Sequence, residues 1–263
     1  MDLQLQNTLS LVTGSSAGIG YAIAEALLRE GARVIINGRD NDTLETALQK
    51  LKSAGSGEVL GFCGDLSRAE TARQLVEQHP NVEILVNNLG IFEPVPFEDI
   101  SDADWMRFFE INVLSGVRLC RLYLPAMKQR NYGRIVFISS ESGVQIPPEM
   151  IHYGMTKSAQ IAIARGLAES LAGTGITVNS ILPGPTMSRG VGEFVSNLAA
   201  SENRSLEEFE KEFFEKVRPT SLIKRFATPE EVASLVAYTV SPLASATTGA
   251  ALRVDGGVVK SAF

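Results

Sequence analysis

Cysteine, tryptophan and histidine are scarce in this chain: two, one and two residues among 263. Cys63 and Cys120 lie far apart inside apolar stretches, so a disulfide framework is excluded and both read as reduced, structural thiols. Positive charge is also short, with 24 Lys and Arg against 30 Asp and Glu and a formal net charge of −6. No run of Lys or Arg offsets that balance locally, which excludes nucleic acid as an expected partner. No stretch reaches the ~18 uncharged apolar residues that a membrane helix needs. The opening MDLQLQNTLSLVTG lacks the basic and apolar regions of a signal peptide. A cytoplasmic protein without membrane contact is expected, and no metal site is expected. Glycine and proline, 23 and 11 residues without period, exclude collagen-like and disordered classes.

What the chain does have is a regular alternation, built from 44% hydrophobic residues. Short runs rich in Val, Ile and Leu stand at Leu9–Thr13, Arg33–Asn37, Glu58–Cys63, Glu83–Asn87, Arg134–Ser139, Ile176–Leu182 and Ala251–Val254. Such runs suit strands buried on both faces of a parallel sheet. Between them lie segments with helical spacing, such as Ile19-Ile23-Ala26-Leu27 and Ile161-Ala164-Leu167-Ala168-Leu171. Strand and helix in alternation predict an α/β fold: a doubly wound (Rossmann) parallel seven-stranded sheet with helices on both faces. No linker, repeat or low-complexity tract divides it, so residues 1–263 are expected to form one domain. From Ser188 to Ala227 no strand is predicted and charges crowd Ser201–Arg218. This segment reads as a helical lid over the site or as a solvated helical hairpin.

Thr13-Gly14-Ser15-Ser16-Ala17-Gly18-Ile19-Gly20 joins the first predicted strand to the first helix. Gly14 allows a tight turn, and Gly18 and Gly20 let backbone and helix N-terminus approach a pyrophosphate. Glycines in a βα turn also serve packing alone; the strand–turn–helix context favours the nucleotide reading. The second strand ends Ile36-Asn37-Gly38-Arg39-Asp40. An acidic residue there would bind a ribose 2′-OH, whereas an Arg suits a 2′-phosphate. Gly38 occupies the acidic position and Arg39 follows, so NADP(H) is favoured, with NAD(H) the alternative. Ser15 and Ser16 are candidate extra phosphate ligands. The competing reading of Arg39 is an exposed side chain with Asp40 as counterion.

Ser140 and the sequence Tyr153-Gly154-Met155-Thr156-Lys157 form the chemical end. Tyr and Lys at i and i+4 share a helical face. A phenol with its ordinary pKa of about 10 is a poor acid–base catalyst at neutral pH, and a nearby ammonium favours the phenolate. A serine at the preceding strand end can donate to a carbonyl oxygen or a developing alkoxide. Glu141, Ser142, Val144, Ile146, Met150, Ile151 and Pro185 are candidate pocket walls. His152 points about 100° away from Tyr153 on a helix and reads as a packed side chain or pocket wall.

These residues resemble the short, single-domain branch of the short-chain dehydrogenases/reductases from the first strand to Val254-Asp255-Gly256-Gly257. The likeness runs through the glycine loop at 13–20, Asp65-Leu66, Asn87-Asn88-Leu89-Gly90, Asn112, Ser140, Tyr153, Lys157, Pro183-Gly184 and Thr248-Gly249. The resemblance implies that Gly14, Ser15, Ser16, Gly18, Ile19, Gly20 and Arg39 hold the cofactor's phosphate end. It implies that Asp65 binds the adenine edge with Leu66 packed on it, and that Asn88 and Gly90 line the adenosine half. Asn112 is implied to hold a water in a proton relay, Tyr153 to be the acid or base, and Ser140 to orient the carbonyl. Lys157 is implied to hold the nicotinamide ribose and tune Tyr153. Ile181, Pro183, Gly184, Thr186 and Ser188 are implied near the nicotinamide. Two residues depart from the family's pattern: Leu89 replaces its usual Ala, and Ala17 its usual basic residue, leaving Arg39 to carry NADP preference.

The expectation is an NADP(H)-dependent oxidoreductase moving a hydride between nicotinamide and a small carbonyl or secondary-alcohol substrate. One alternative is a 3-oxoacyl-carrier-protein reductase, although Asn131 and Thr174 stand where carrier-docking members show basic residues. The alternative of another class is a non-catalytic NADP(H)-binding regulator, against which the set Asn112, Ser140, Tyr153 and Lys157 speaks. By resemblance, a homodimer or homotetramer is implied.

Overall fold

A computed structural model describes residues 1–188, 192 and 205–262. Seven strands form one parallel sheet: β1 (Leu9–Val12), β2 (Arg33–Gly38), β3 (Val59–Cys63), β4 (Ile84–Asn87), β5 (Gly133–Ile138), β6 (Ile176–Pro183) and β7 (Ala251–Val254). Their spatial order is β3-β2-β1-β4-β5-β6-β7. The chain therefore reverses its winding between β1 and β4, and in such sheets ligands bind in the crevice at the strands' carboxyl ends there.

Alternation along each strand divides the core. Val12, Ile36, Val86, Val136 and Ile138 face one side, against α1 (Gly18–Arg29), α2 (Asn41–Leu51) and α8 (Pro229–Val240). Leu11, Ile35, Leu85, Ile135, Phe137 and Val178 face the other. There they meet α3 (Ala69–Gln78), α5 (Ser115–Gln129) and α6 (Ile151–Ser170). Both faces are dry, which explains why the strand sequences read as unbroken apolar runs. The doubly wound, seven-stranded expectation matches this sheet, with strand bounds agreeing to within a residue or two.

One irregularity was hidden from the periodicity. α4 (Asp102–Phe109) runs into α5 through a π-turn at Glu110–Leu114. A π-turn inserts one residue into the helical ladder and turns the side chains that follow. It carries Asn112. Beyond β6, α7 (Leu206–Glu212) continues into a second π-turn, Phe213–Val217. Phe213, Phe214 and Phe226 pack together there, with centroids about 5 Å apart. Of the expected lid over 188–227, residues 189–191 and 193–204 lie outside the described residues. Among the described residues, no helix is long and apolar enough to cross a membrane.

Candidate active site

The glycine turn is held from three sides. Gly14 and Gly18 have φ of +58° and +61°, the left-handed region that favours glycine. Asn88 Nδ2 donates to the carbonyls of Thr13 and Gly14 at 2.9 and 3.0 Å. A Cβ on Gly20 would lie 2.5 Å from that same nitrogen and 2.6 Å from the Gly14 carbonyl, so only glycine fits. Asn37 completes the clamp from β2. Its Oδ1 accepts from Gly14 N at 3.2 Å, while Nδ2 donates to the carbonyls of Phe62 and Gly64. The sequence reading passed over Asn37, because nothing local distinguishes a strand-end Asn from a solvated one. Asn37→Ala is expected to lower stability by about 2–4 kcal/mol, since it deletes three partly or fully buried hydrogen bonds. Urea denaturation checks this, and weakened dinucleotide binding should accompany it.

The chain's own residues fit a dinucleotide. The N-terminus of α1 has neither a side-chain cap nor an acidic residue in its first turn. By contrast, α2, α4, α7 and α8 are capped by Asp40, Ser101, Ser205 and Thr228. Open N–H groups beside a glycine turn are an anion site. Ser16 lies against Gly38, where an added Cβ would approach Ser16 Cβ and Oγ at 3.1 Å. Arg39 is exposed, and its side chain makes no hydrogen bond or ion pair among the described residues. Asp40 Oδ1 caps α2, accepting from Thr43 N and Oγ1, and no ion pair joins Asp40 to Arg39 among the described residues.

Several expected ligands also have partners within the fold. Ser15 is fully buried: its Oγ donates to the Val12 carbonyl at 2.6 Å and accepts from Asn37 N, which ties it into the strand-end scaffold. Leu66 is 1% exposed and packs in the core. Asp65 Oδ1 accepts from Ser67 N and Oγ, the turn role a strand-end Asp often takes. Cys63, expected inside the fold, is exposed at the end of the edge strand β3.

A cavity of about 540 Å³ opens at the carboxyl ends of β4, β5 and β6. Ile19, Asn88, Gly90, Ser140, Tyr153, Lys157, Pro183, Gly184, Thr186 and Ser188 all line it. Of the expected walls, Glu141, Ser142, Met150 and Pro185 do so, whereas Val144, Ile146 and Ile151 do not. Val144 and Ile146 are about half exposed, turned out by the short helical turn Glu141–Gly143.

Ser140 Oγ accepts from Ser142 N at 3.1 Å, and Ser140 and Tyr153 line the same cavity. Burial pushes the Tyr153 phenol up to about 12, outweighing the pull of Ser140. Burial pushes Lys157 down to about 7. Its Nζ donates to the Ile138 carbonyl at 2.9 Å and to Gln160 Oε1 at 3.3 Å. In this arrangement desolvation acts on both groups and favours their neutral forms.

Asn112 Oδ1 accepts from Ile91 N, its Nδ2 donates to the Ile91 carbonyl and Thr156 Oγ1, and its own carbonyl accepts from Gln160 Nε2 at 2.5 Å. With its amide paired at both atoms, Asn112 ties the β4 loop to α6. Gln160 links Asn112 to Lys157 directly, a role that only the folded π-turn reveals.

His152 is fully buried, 3.9 Å from the Phe108 ring centroid, and neither ring nitrogen has a hydrogen-bond partner among the described residues. Burial holds its pKa below the usual histidine value, with Asp104 and Glu93 pulling up and Arg107 down. The unfolded chain therefore binds the extra proton first. Stability is fully present above about pH 6.5 and falls as pH drops below it. Urea midpoints at pH 7.5 and 5.5 are expected to fall more in the wild type than in His152→Leu.

The fold and this cavity define a nucleotide-binding α/β oxidoreductase. The short chain dehydrogenase family model matches residues 8–199, and the chain belongs to the short-chain dehydrogenase/reductase family. It is an oxidoreductase of carbonyl and alcohol groups that uses a nicotinamide cofactor. Among its relatives is the uncharacterized oxidoreductase YvaG of Bacillus subtilis, 47% identical over 264 residues and covering all of both chains. D-beta-hydroxybutyrate dehydrogenase of Cupriavidus necator is 32% identical, over 97% of this chain and 99% of its own. The crystal structure of L-sorbose reductase from Gluconobacter frateurii, complexed with NADPH and L-sorbose, superposes with a TM-score of 0.94 at 30% identity. That match covers 99% of this chain and 100% of the reductase.

Proposed function

We propose that this chain is an NADP(H)-dependent reductase of ketones, or dehydrogenase of secondary alcohols, with Tyr153 as the acid–base residue. The observation that carries the reading is the convergence of Tyr153, Ser140 and Lys157 with Asn88, Gly90 and Ile19 on one cavity. NADP(H) preference is supported by Ser16 packed over Gly38 beside Arg39, which is unpaired among the described residues, and by the NADPH in the L-sorbose reductase structure. Residues 205–227 close one side of the cavity through Phe209, Phe213, Val217 and Phe226, as a lid would.

The nicotinamide cofactor supplies or accepts the hydride at the carbonyl carbon. Ser140 Oγ, oriented by Ser142 N, donates to the carbonyl oxygen and polarises it. Tyr153 gives that oxygen its proton in reduction and takes it back in oxidation. Lys157, held by the Ile138 carbonyl and Gln160, faces the Tyr153 ring at 5.5 Å and stabilises the phenolate when protonated. Gly14, Gly18 and Gly20 shape the phosphate turn, and Thr186, whose hydroxyl donates to the Gly184 carbonyl, stiffens the nicotinamide wall.

A ketone panel run with NADPH and then NADH tests this reading. Ketone-dependent oxidation of NADPH, faster than of NADH, is the expected result; no turnover with either cofactor overturns it. Carrier-protein docking receives no support at Asn131, whose side chain accepts from Gly175 N to brace a turn.

A further inference from the structure

Three charges from distant parts of the sequence meet at one end of the cavity. Glu141 follows Ser140 directly and is 3% exposed; Arg218 follows the Phe213–Val217 turn and is 9% exposed. Glu149 stands on the Pro148–Met150 turn ahead of α6. Arg218 Nε donates to Glu141 Oε1 at 3.1 Å, and Nη1 donates to Glu149 Oε1 at 3.2 Å and to the Val217 carbonyl at 3.0 Å. Among the described residues, Glu141 Oε2 is buried without a hydrogen-bond partner. Arg218 Nη2 also makes no hydrogen bond among them.

The surrounding wall is mostly apolar, with Ile91, Met150, Phe209, Phe213 and Val217, and its further charges, Lys216 and Glu212, are paired with each other. Charges set in such a wall are costly unless their polar atoms find partners. A few polar groups in an apolar pocket are also what orients a ligand. The mechanism described above uses none of the three.

We propose that this cluster is the recognition end for the substrate, which is a ketone bearing a hydroxyl on the carbon beside its carbonyl, or the corresponding vicinal diol. The inference rests on the reading of Ser140 and Tyr153 as the carbonyl site. A hydroxyl both accepts and donates, so it can satisfy a guanidinium N–H and a carboxylate oxygen together. An acidic substrate meets two carboxylates around a single guanidinium already bonded to both, and is repelled. A plain alkyl ketone leaves the polar atoms unpaired. The position follows from the bonding: Ser142 donates through N to Ser140 Oγ and through Oγ to Glu141 Oε1 at 3.2 Å. The cluster thus stands two hydrogen bonds from the hydroxyl that orients the carbonyl.

The test compares six-carbon ketones that share a C2 carbonyl, using the full chain and NADPH. At least one of 1-hydroxyhexan-2-one and 3-hydroxyhexan-2-one is expected to exceed hexan-2-one in kcat/KM by about 30-fold or more, with 2-oxohexanoate slowest. In Glu141→Leu, which removes the carboxylate oxygen assigned to the hydroxyl and leaves Arg218 bonded to Glu149, that preference should fall below about 5-fold. Hexan-2-one or 2-oxohexanoate matching the hydroxy ketones overturns this inference and leaves the carbonyl-reductase reading standing. A hydroxyl preference unchanged in folded Glu141→Leu overturns the assignment to this cluster. No turnover of any of the four ketones overturns both readings. The wild-type comparison stands on its own if the variant fails to fold.

Discussion

Tyr153→Phe is expected to lower kcat for ketone reduction by about 10²–10⁴-fold while changing the dissociation constant for NADPH by less than about threefold. The variant keeps the ring, its edge-on contact with Phe92 at 6.5 Å and its place on α6, so packing survives. What disappears is the hydroxyl of a side chain that lines the cavity together with Ser140. Initial rates with a turned-over ketone, beside a fluorescence titration with NADPH, make the comparison. Wild-type turnover in the variant would remove Tyr153 from the chemistry. The raised phenol pKa also sets a direction with pH. Reduction needs the neutral phenol, which burial maintains to about 12, so its rate should hold through the neutral range. Alcohol oxidation needs a proton acceptor and should climb towards alkaline pH.

The second large effect concerns the cofactor's phosphate. Gly38→Asp is expected to lower the NADPH-over-NADH ratio of kcat/KM by about 100-fold or more, because one charge-assisted hydrogen bond is worth about 1.5–3 kcal/mol and a new repulsion adds to its loss. The position has ordinary backbone geometry, and an added Cβ displaces only Ser16, by a few tenths of an ångström. The new carboxylate would face the position assigned to a 2′-phosphate beside Arg39, and would also form an ion pair with that guanidinium. Arg39→Ala is the milder companion, expected to lower the same ratio by about tenfold. A wild-type enzyme that prefers NADH, or a ratio that Gly38→Asp leaves unmoved, would show that specificity resides elsewhere.

These two predictions differ in how far the fold was needed to make them. Tyr153 and Lys157 share a face because a helix has a period near 3.6, and Gly38-Arg39 ends a strand that any alternation count finds. The charged end of the cavity has no such rule: Glu141, Glu149 and Arg218 belong to three separate turns, and no spacing relates them. Asn112 shows the converse. Its place in the pattern is legible, whereas the π-turn that directs its amide onto Ile91 and Thr156 and its carbonyl onto Gln160 is not.

By itself the sequence determined the doubly wound sheet, the nucleotide turn and the Tyr/Lys pair. Each follows from local periodicity or from contacts within one element and its neighbour, which short-range sterics enforce. Only the tertiary structure decided which hydroxyl is bonded into the strand-end scaffold, that of Ser15, and how burial acts on Tyr153 and Lys157. Those outcomes depend on which atoms reach each other across the sheet and on how much water they lose, and neither quantity exists until the layers close.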